Sequence, residues 1–102
     1  MKLDFSKIDG NYQVKFSSQF KKDYNMAIKR GYKIEKLQEV IALLSLGKKL
    51  PVHNRNHSLS GKYTGYHECH IEPNWLLIYR IDKNNLELLL FRTGSHSELF
   101  GI

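Results

Sequence analysis

Residues 66–81, YHECHIEPNWLLIYRI, read as two strands joined by a turn at Glu72-Pro73-Asn74. In the first strand Tyr66, Glu68 and His70 fall at every second position, so an extended chain sends all three to one face. The second strand, Trp75 to Ile81, is apolar except for Arg80 and reads as core. A polar strand beside an apolar one is a costly way to build a sheet unless the polar face has a task. Imidazole and carboxylate on one rigid face of a basic protein point to proton transfer on a polyanion.

Working outward toward the N-terminus, the polar strand extends back to Tyr63, and Lys48 to Lys62 before it is an irregular, polar run, read as a long loop with Val52 and Leu59 as its anchors. Before it, Ile34, Leu37, Ile41 and Leu44 form the inner stripe of a helix from about Lys33 to Leu46, stopped by Gly47 and Pro51. An earlier helix carries Phe20, Tyr24, Ala27 and Ile28 at helical spacing, with Ser17 or Ser18 as N-cap and Gly31 as its end. Tyr12 to Phe16 alternates apolar and polar like a half-buried strand. Leu3, Phe5 and Ile8 could pack as a short leading segment.

Toward the C-terminus, Asp82-Lys83-Asn84-Asn85 is a turn signal and Leu86 to Arg92 the next strand. Thr93-Gly94-Ser95 breaks it, and Ser95 to Phe100 forms a terminal helical turn or tail. The expected fold class is α+β: a small antiparallel sheet packed against an N-terminal two-helix hairpin, in the order strand, helix, helix, three strands. The 102 residues make one domain, spanning 1–102, large enough for a core without metal or disulfide staples. The single cysteine, Cys69, excludes an internal disulfide and reads as a buried small residue. No leader-like apolar run follows Lys2 and no stretch approaches a membrane span, so the expectation is a soluble cytoplasmic protein without a membrane role.

The net charge of +6 favours an acidic partner, either nucleic acid or a protein rich in Asp and Glu. All five histidines lie between His53 and His96, so the second half of the chain looks like the site and the first like scaffold. His57, His70 and His96 come from loop, strand and C-terminal segment, and can converge only at one edge of the sheet. RNA cleavage needs a base for the 2′-hydroxyl, an acid for the leaving 5′-oxygen and cations for the phosphorane. Arg80, Arg92, Lys48, Lys49 and Lys62 are the candidates for binding RNA phosphates. The parity of Arg80 sets it opposite Trp75, Leu77 and Tyr79. A zinc site is the competing reading of His67, His70 and Cys69. It is set aside because His67 and His70 point to opposite faces of a strand, so no metal and no other cofactor is expected.

The run His57-Ser58-Leu59-Ser60-Gly61, then Gly65-Tyr66, His70 to Trp75, Leu77-Ile78-Tyr79, and Arg92-Thr93-Gly94-Ser95-His96 through Leu99-Phe100-Gly101 closely resembles the YafQ family of bacterial toxins, in the RelE/ParE superfamily. The resemblance covers roughly the last half of the chain as linked motifs. It implies a type II toxin acting as a ribosome-dependent mRNA endonuclease (an mRNA interferase that inhibits translation), metal-independent, and neutralised by a cognate antitoxin that is small, acidic and DNA-binding. It implies catalytic roles for His57 in the H-x-L-x-G loop and for His70 before the Glu-Pro turn. His96, Phe100 and the acidic Glu68 match further site positions of the family. The family commonly has aspartate immediately before the tryptophan. Asn74 stands there in this chain, keeping hydrogen-bonding capacity without a charge. The alternatives are a ParE-like inhibitor that cuts nothing, and a weakened toxin retained for antitoxin binding.

Overall fold

The computed structural model describes residues 11–101, so the expected leading segment of Leu3, Phe5 and Ile8 lies outside the described residues. Strand β1 (Gln13–Phe16) leads through Ser17 into helix α1 (Ser18–Lys29), followed by α2 (Ile34–Ser45). Then come β2 (His57–Ser58), β3 (His67–Glu72), β4 (Trp75–Asp82), β5 (Glu87–Gly94) and the short helix α3 (His96–Phe100). The five strands form one sheet in the order β1-β5-β4-β3-β2. Strands β3 to β5 pair antiparallel, as expected; β2 adds an unexpected antiparallel edge beside β3 and β1 a parallel edge beside β5, so the sheet is mixed. The α+β class and the helical layer over the sheet stand.

Ser17 explains how β1 hands over to α1. Its Oγ accepts from the Phe20 backbone N–H at 3.0 Å, which caps the helix, and donates to the Phe91 carbonyl at 2.6 Å, which ties that cap to β5. The inner stripes of both helices then bury Phe20, Tyr24, Leu37, Ile41 and Leu44 against Cys69, Leu77, Tyr79, Leu88 and Leu90 of the sheet. On the opposite face Leu76, Ile78 and Leu99 form a second, smaller core, joined by Leu59, Tyr66, Phe91 and Phe100. Strand β4 is therefore covered on both sides. That is why Trp75 to Tyr79 reads as an unbroken apolar run rather than an alternation.

Local differences from the sequence reading have physical causes. The polar strand begins at His67 rather than Tyr63, because Gly61–Tyr63 is a 3₁₀ turn and Gly65 takes a left-handed φ of 95°. The last sheet strand starts at Glu87, since Leu86 sits at φ 54°, and it runs on to Gly94 because Thr93 is paired with Leu77. The 48–62 loop contains the two-residue strand β2 and a 3₁₀ turn at Val52–Asn54. Val52 is no anchor, being 94% exposed; Leu50 and the partly buried Leu59 take that part.

Candidate active site

Register builds the site. Pairing of β2 with β3 sets His57 opposite Glu68, and the alternation of β3 puts Glu68 and His70 on the face away from the α1/α2 layer. The β3–β4 turn presents Asn74. The capping box at the start of α3, where Ser95 and Glu98 cap each other's backbone N–H, makes His96 the first helical residue. Glu98 also forms an ion pair with Arg30 at the end of α1. A side chain at Gly94 would bring its Cβ within 3.3 Å of Glu98 Oε1, so this approach of β5 to α3 needs glycine.

The result is a row of groups. His57 Nε2 lies 3.4 Å from Glu68 Oε1, and His70 Nε2 lies 3.9 Å from the same oxygen. The rings of His70 and His96 stand 5.8 Å apart, centre to centre. His96 Nδ1 meets Asn74 Oδ1 at 2.8 Å. Three histidines from distant segments thus converge, as the sequence reading required. Glu68 is the buried member at 7% exposure, while His57 stays open to solvent.

Each imidazole is oriented through its Nδ1. That of His57 faces the Arg55 carbonyl at 2.9 Å and that of His70 faces the Pro73 carbonyl at 3.2 Å. A carbonyl can only accept, so both rings donate from Nδ1. Asn74 Oδ1 also accepts the His96 backbone N–H at 3.2 Å, which identifies it as the oxygen and gives His96 the same polarity. In all three rings Nε2 is the nitrogen left to exchange a proton.

The candidate cations divide. Arg80 is exposed on the face its parity predicts, its guanidinium 5.4 Å from the centre of the Tyr66 ring. Lys62 lies similarly over Tyr63. Lys48 and Lys49 line a basin of about 680 Å³ with His67, Tyr79 and Lys83, which Arg80 also borders and which His57, His70 and His96 do not line. Arg92 is not free for phosphate. Its Nε and Nη2 donate to the Asp23 carboxylate of α1 at 2.9 and 3.1 Å, bonds that raise its pKa. The reading of Arg92 as a candidate for RNA phosphate did not anticipate Asp23, a helix residue with no motif around it, which holds the guanidinium. Phe100 packs with Tyr63, Tyr66 and Phe91 in the aromatic cluster beside the row, 6.2 Å from the Tyr63 ring centre.

Behind the site, Cys69 is buried, and its thiol is pushed up to about 12 by that burial and secondarily by the charge of Glu68. Burial, with Cys69 adding to it, pushes the Tyr79 hydroxyl up to about 12 against the opposing hydrogen bond to Asn56. His67 faces the other way, stacked on Tyr79 at 5.4 Å. Among the described residues no group of three or more His, Cys, Asp or Glu side chains is disposed to hold a metal ion. Sequence reasoning missed Asn54, whose side-chain amide bonds the His70 carbonyl, and Arg55, whose own carbonyl meets His57.

Residues 12–101 match the family described as "Bacterial toxin of type II toxin-antitoxin system, YafQ". The chain is 39% identical over 90 residues to the mRNA interferase toxin YafQ of Escherichia coli K12, covering 86% of this chain and 95% of that protein. A chain of the crystal structure of the E. coli DinJ–YafQ toxin–antitoxin complex superposes with a TM-score of 0.82 at 36% identity, over 89% of this chain and 99% of that one. A metal-bound toxin from Helicobacter pylori superposes with a TM-score of 0.83 at 36% identity, over 87% and 99% of the two chains. Sequence identity, superposition and family match agree, and the chain belongs to the YafQ family of bacterial toxins of type II toxin–antitoxin systems.

Proposed function

We propose that this protein is an mRNA interferase, an endoribonuclease that cuts mRNA on the ribosome by histidine acid–base chemistry and so stops translation in the cytoplasm. The observation that carries the proposal is the row His57–Glu68–His70–His96, closed at its end by Asn74. One imidazole, His70 or His57, accepts the 2′-hydroxyl proton at Nε2 while the other contacts the phosphate. The 2′-oxygen then bonds to phosphorus, and the bond from phosphorus to the 5′-oxygen breaks. His96, which must enter this step with both ring nitrogens protonated, gives its Nε2 proton to that leaving oxygen and keeps the Nδ1 proton on Asn74. The products are a 2′,3′-cyclic phosphate (or the 3′-phosphate from its hydrolysis) and a free 5′-hydroxyl, with no metal required by the proton balance. Glu68 orients the imidazoles on either side of it. Arg80 and Lys62 supply positive charge along the open face, Lys48 and Lys49 add to the basic surface from their own basin, and Phe100 closes the site beside the row.

The named relatives include an mRNA interferase and a toxin held in a complex with DinJ, which supports both the reaction and a cognate antitoxin as partner. A small acidic, DNA-binding antitoxin suits the basic surface of this chain. No helix among the described residues is long and apolar enough to cross a membrane.

Mapping mRNA 5′ ends after induced expression tests the reading. New codon-linked ends with free 5′-hydroxyls are expected, and they should vanish in folded His70→Ala and His96→Ala variants. Growth arrest without new ends would instead favour a ParE-like inhibitor.

A further inference from the structure

The segment Asn54-Arg55-Asn56 is pinned to the sheet at three consecutive residues. Asn54 is only 4% exposed although both its neighbours are exposed, and its Nδ2 donates to the His70 carbonyl at 2.7 Å. Arg55 adopts φ 46° and ψ 48°, a left-handed conformation unfavourable for a side chain with a Cβ, and its carbonyl receives the His57 Nδ1 proton. Asn56 Oδ1 accepts the Tyr79 hydroxyl at 2.7 Å. The strand that follows, β2, has two residues and lies at the sheet edge, too short to hold His57 by its own ladder.

We propose that Asn54 and Arg55 are positioning residues for the reaction, coupling the orientation of His57 to the backbone of His70. The inference rests on the nuclease reading for its consequence, though not for its geometry. A buried amide in an otherwise exposed loop has one partner on the site strand, and removing it frees the turn that carries the Arg55 carbonyl. Without that carbonyl the His57 ring loses its fixed polarity, and either nitrogen can then face Glu68. Backbone strain beside the reacting groups persists only where surrounding bonds over-determine it, and here the bonds of Asn54 and Asn56 flank the strained residue on both sides. Arg55→Gly suits φ 46° and keeps the carbonyl in place, whereas a β-branched Arg55→Val opposes that conformation.

The test is ¹⁵N spectroscopy of the His57 ring in the wild type and in Asn54→Ala, Arg55→Gly and Arg55→Val, together with kcat and KM for mRNA cleavage on programmed ribosomes. The expected outcome is a single Nδ1–H form in the wild type and Arg55→Gly, and a tautomer mixture in Asn54→Ala and Arg55→Val. With the mixture, kcat should fall roughly 10²-fold with little change in KM, the size of loss that a misplaced reacting group produces. An unchanged His57 signal in both disruptive variants overturns the proposal. A wild type that shows the fixed tautomer and cuts no RNA would sink the nuclease reading and leave the positioning intact. Should Asn54→Ala not fold, the Arg55 pair decides alone.

Discussion

Asn74 Oδ1 accepts two hydrogen bonds from one residue, the backbone N–H of His96 at 3.2 Å and its ring Nδ1 at 2.8 Å. One amide oxygen therefore ties the first residue of α3 to the β3–β4 turn and sets how its histidine is turned. Asn74→Ala removes both bonds and should lower kcat by roughly 10–100-fold with the fold retained, since the loss is one of orientation. Asn74→Asp keeps both acceptor contacts and adds a charge that strengthens them, so its rate should match or exceed the wild type. Single-turnover cleavage by the two variants checks this. A dead Asn74→Asp would show that the neutral amide is itself required.

Glu68 is a buried carboxylate that faces two imidazoles at 3.4 and 3.9 Å. Glu68→Gln keeps the shape of the side chain and removes the charged acceptor between the rings, so the fold should be retained while most of the cleavage activity is lost. Denaturation midpoint and rate measured on the same preparation decide it; a folded variant that stays fully active contradicts the assigned role.

Arg92 and Asp23 make two hydrogen bonds across the α1–β5 boundary, and Asp23 also accepts the Thr93 N–H at 3.2 Å. Arg92→Ala should therefore cost stability, roughly 1.5–3 kcal/mol for charged hydrogen bonds. RNA affinity at matched folded fraction should hardly change. A large loss of RNA binding with unaltered stability would restore Arg92 to the phosphate contacts.

Cys69 and Tyr79 share one physical cause and one pH signature. Both folded pKa values are raised to about 12, from reference values of 9.0 and 10.0. Their contribution to stability is complete below the unfolded pKa values and drains away as pH rises from there through about 12. Unfolding free energy should fall steeply above about pH 9. Iodoacetamide should alkylate Cys69 in native protein far more slowly than in urea at a pH near the thiol's reference value of 9.0. Equal labelling in both conditions would count against the buried, protonated thiol.

Periodicity carried most of the architecture. The helical stripes of Phe20–Tyr24–Ala27 and Leu37–Ile41–Leu44, the alternation of Glu68 and His70, and the apolar run of β4 are local patterns, and each folds as its pattern indicates. The row of histidines was legible because three imidazoles in separate segments had one place to meet. Other features depend on long-range partners that leave no local mark. The parallel edge of β1 on β5 joins residues more than seventy positions apart. The pairing of Arg92 with Asp23 was hidden for the same reason, because a lone aspartate in α1 looks like any other surface charge until the sheet brings it close. Asn54 and Arg55 act through a side-chain amide and a main-chain carbonyl, and neither residue type announces such a role.

Strand β4, sandwiched between two cores, is the most deeply enclosed part of the sheet, whereas His57 and His96 hang from a two-residue rim and a five-residue terminal helix. Amide protons of β4 should exchange only when the whole domain opens, while those of the rim and the last helix escape through small local excursions. Warming should therefore silence the molecule before it melts, and a partner that clamped either periphery would control the chemistry without touching the centre.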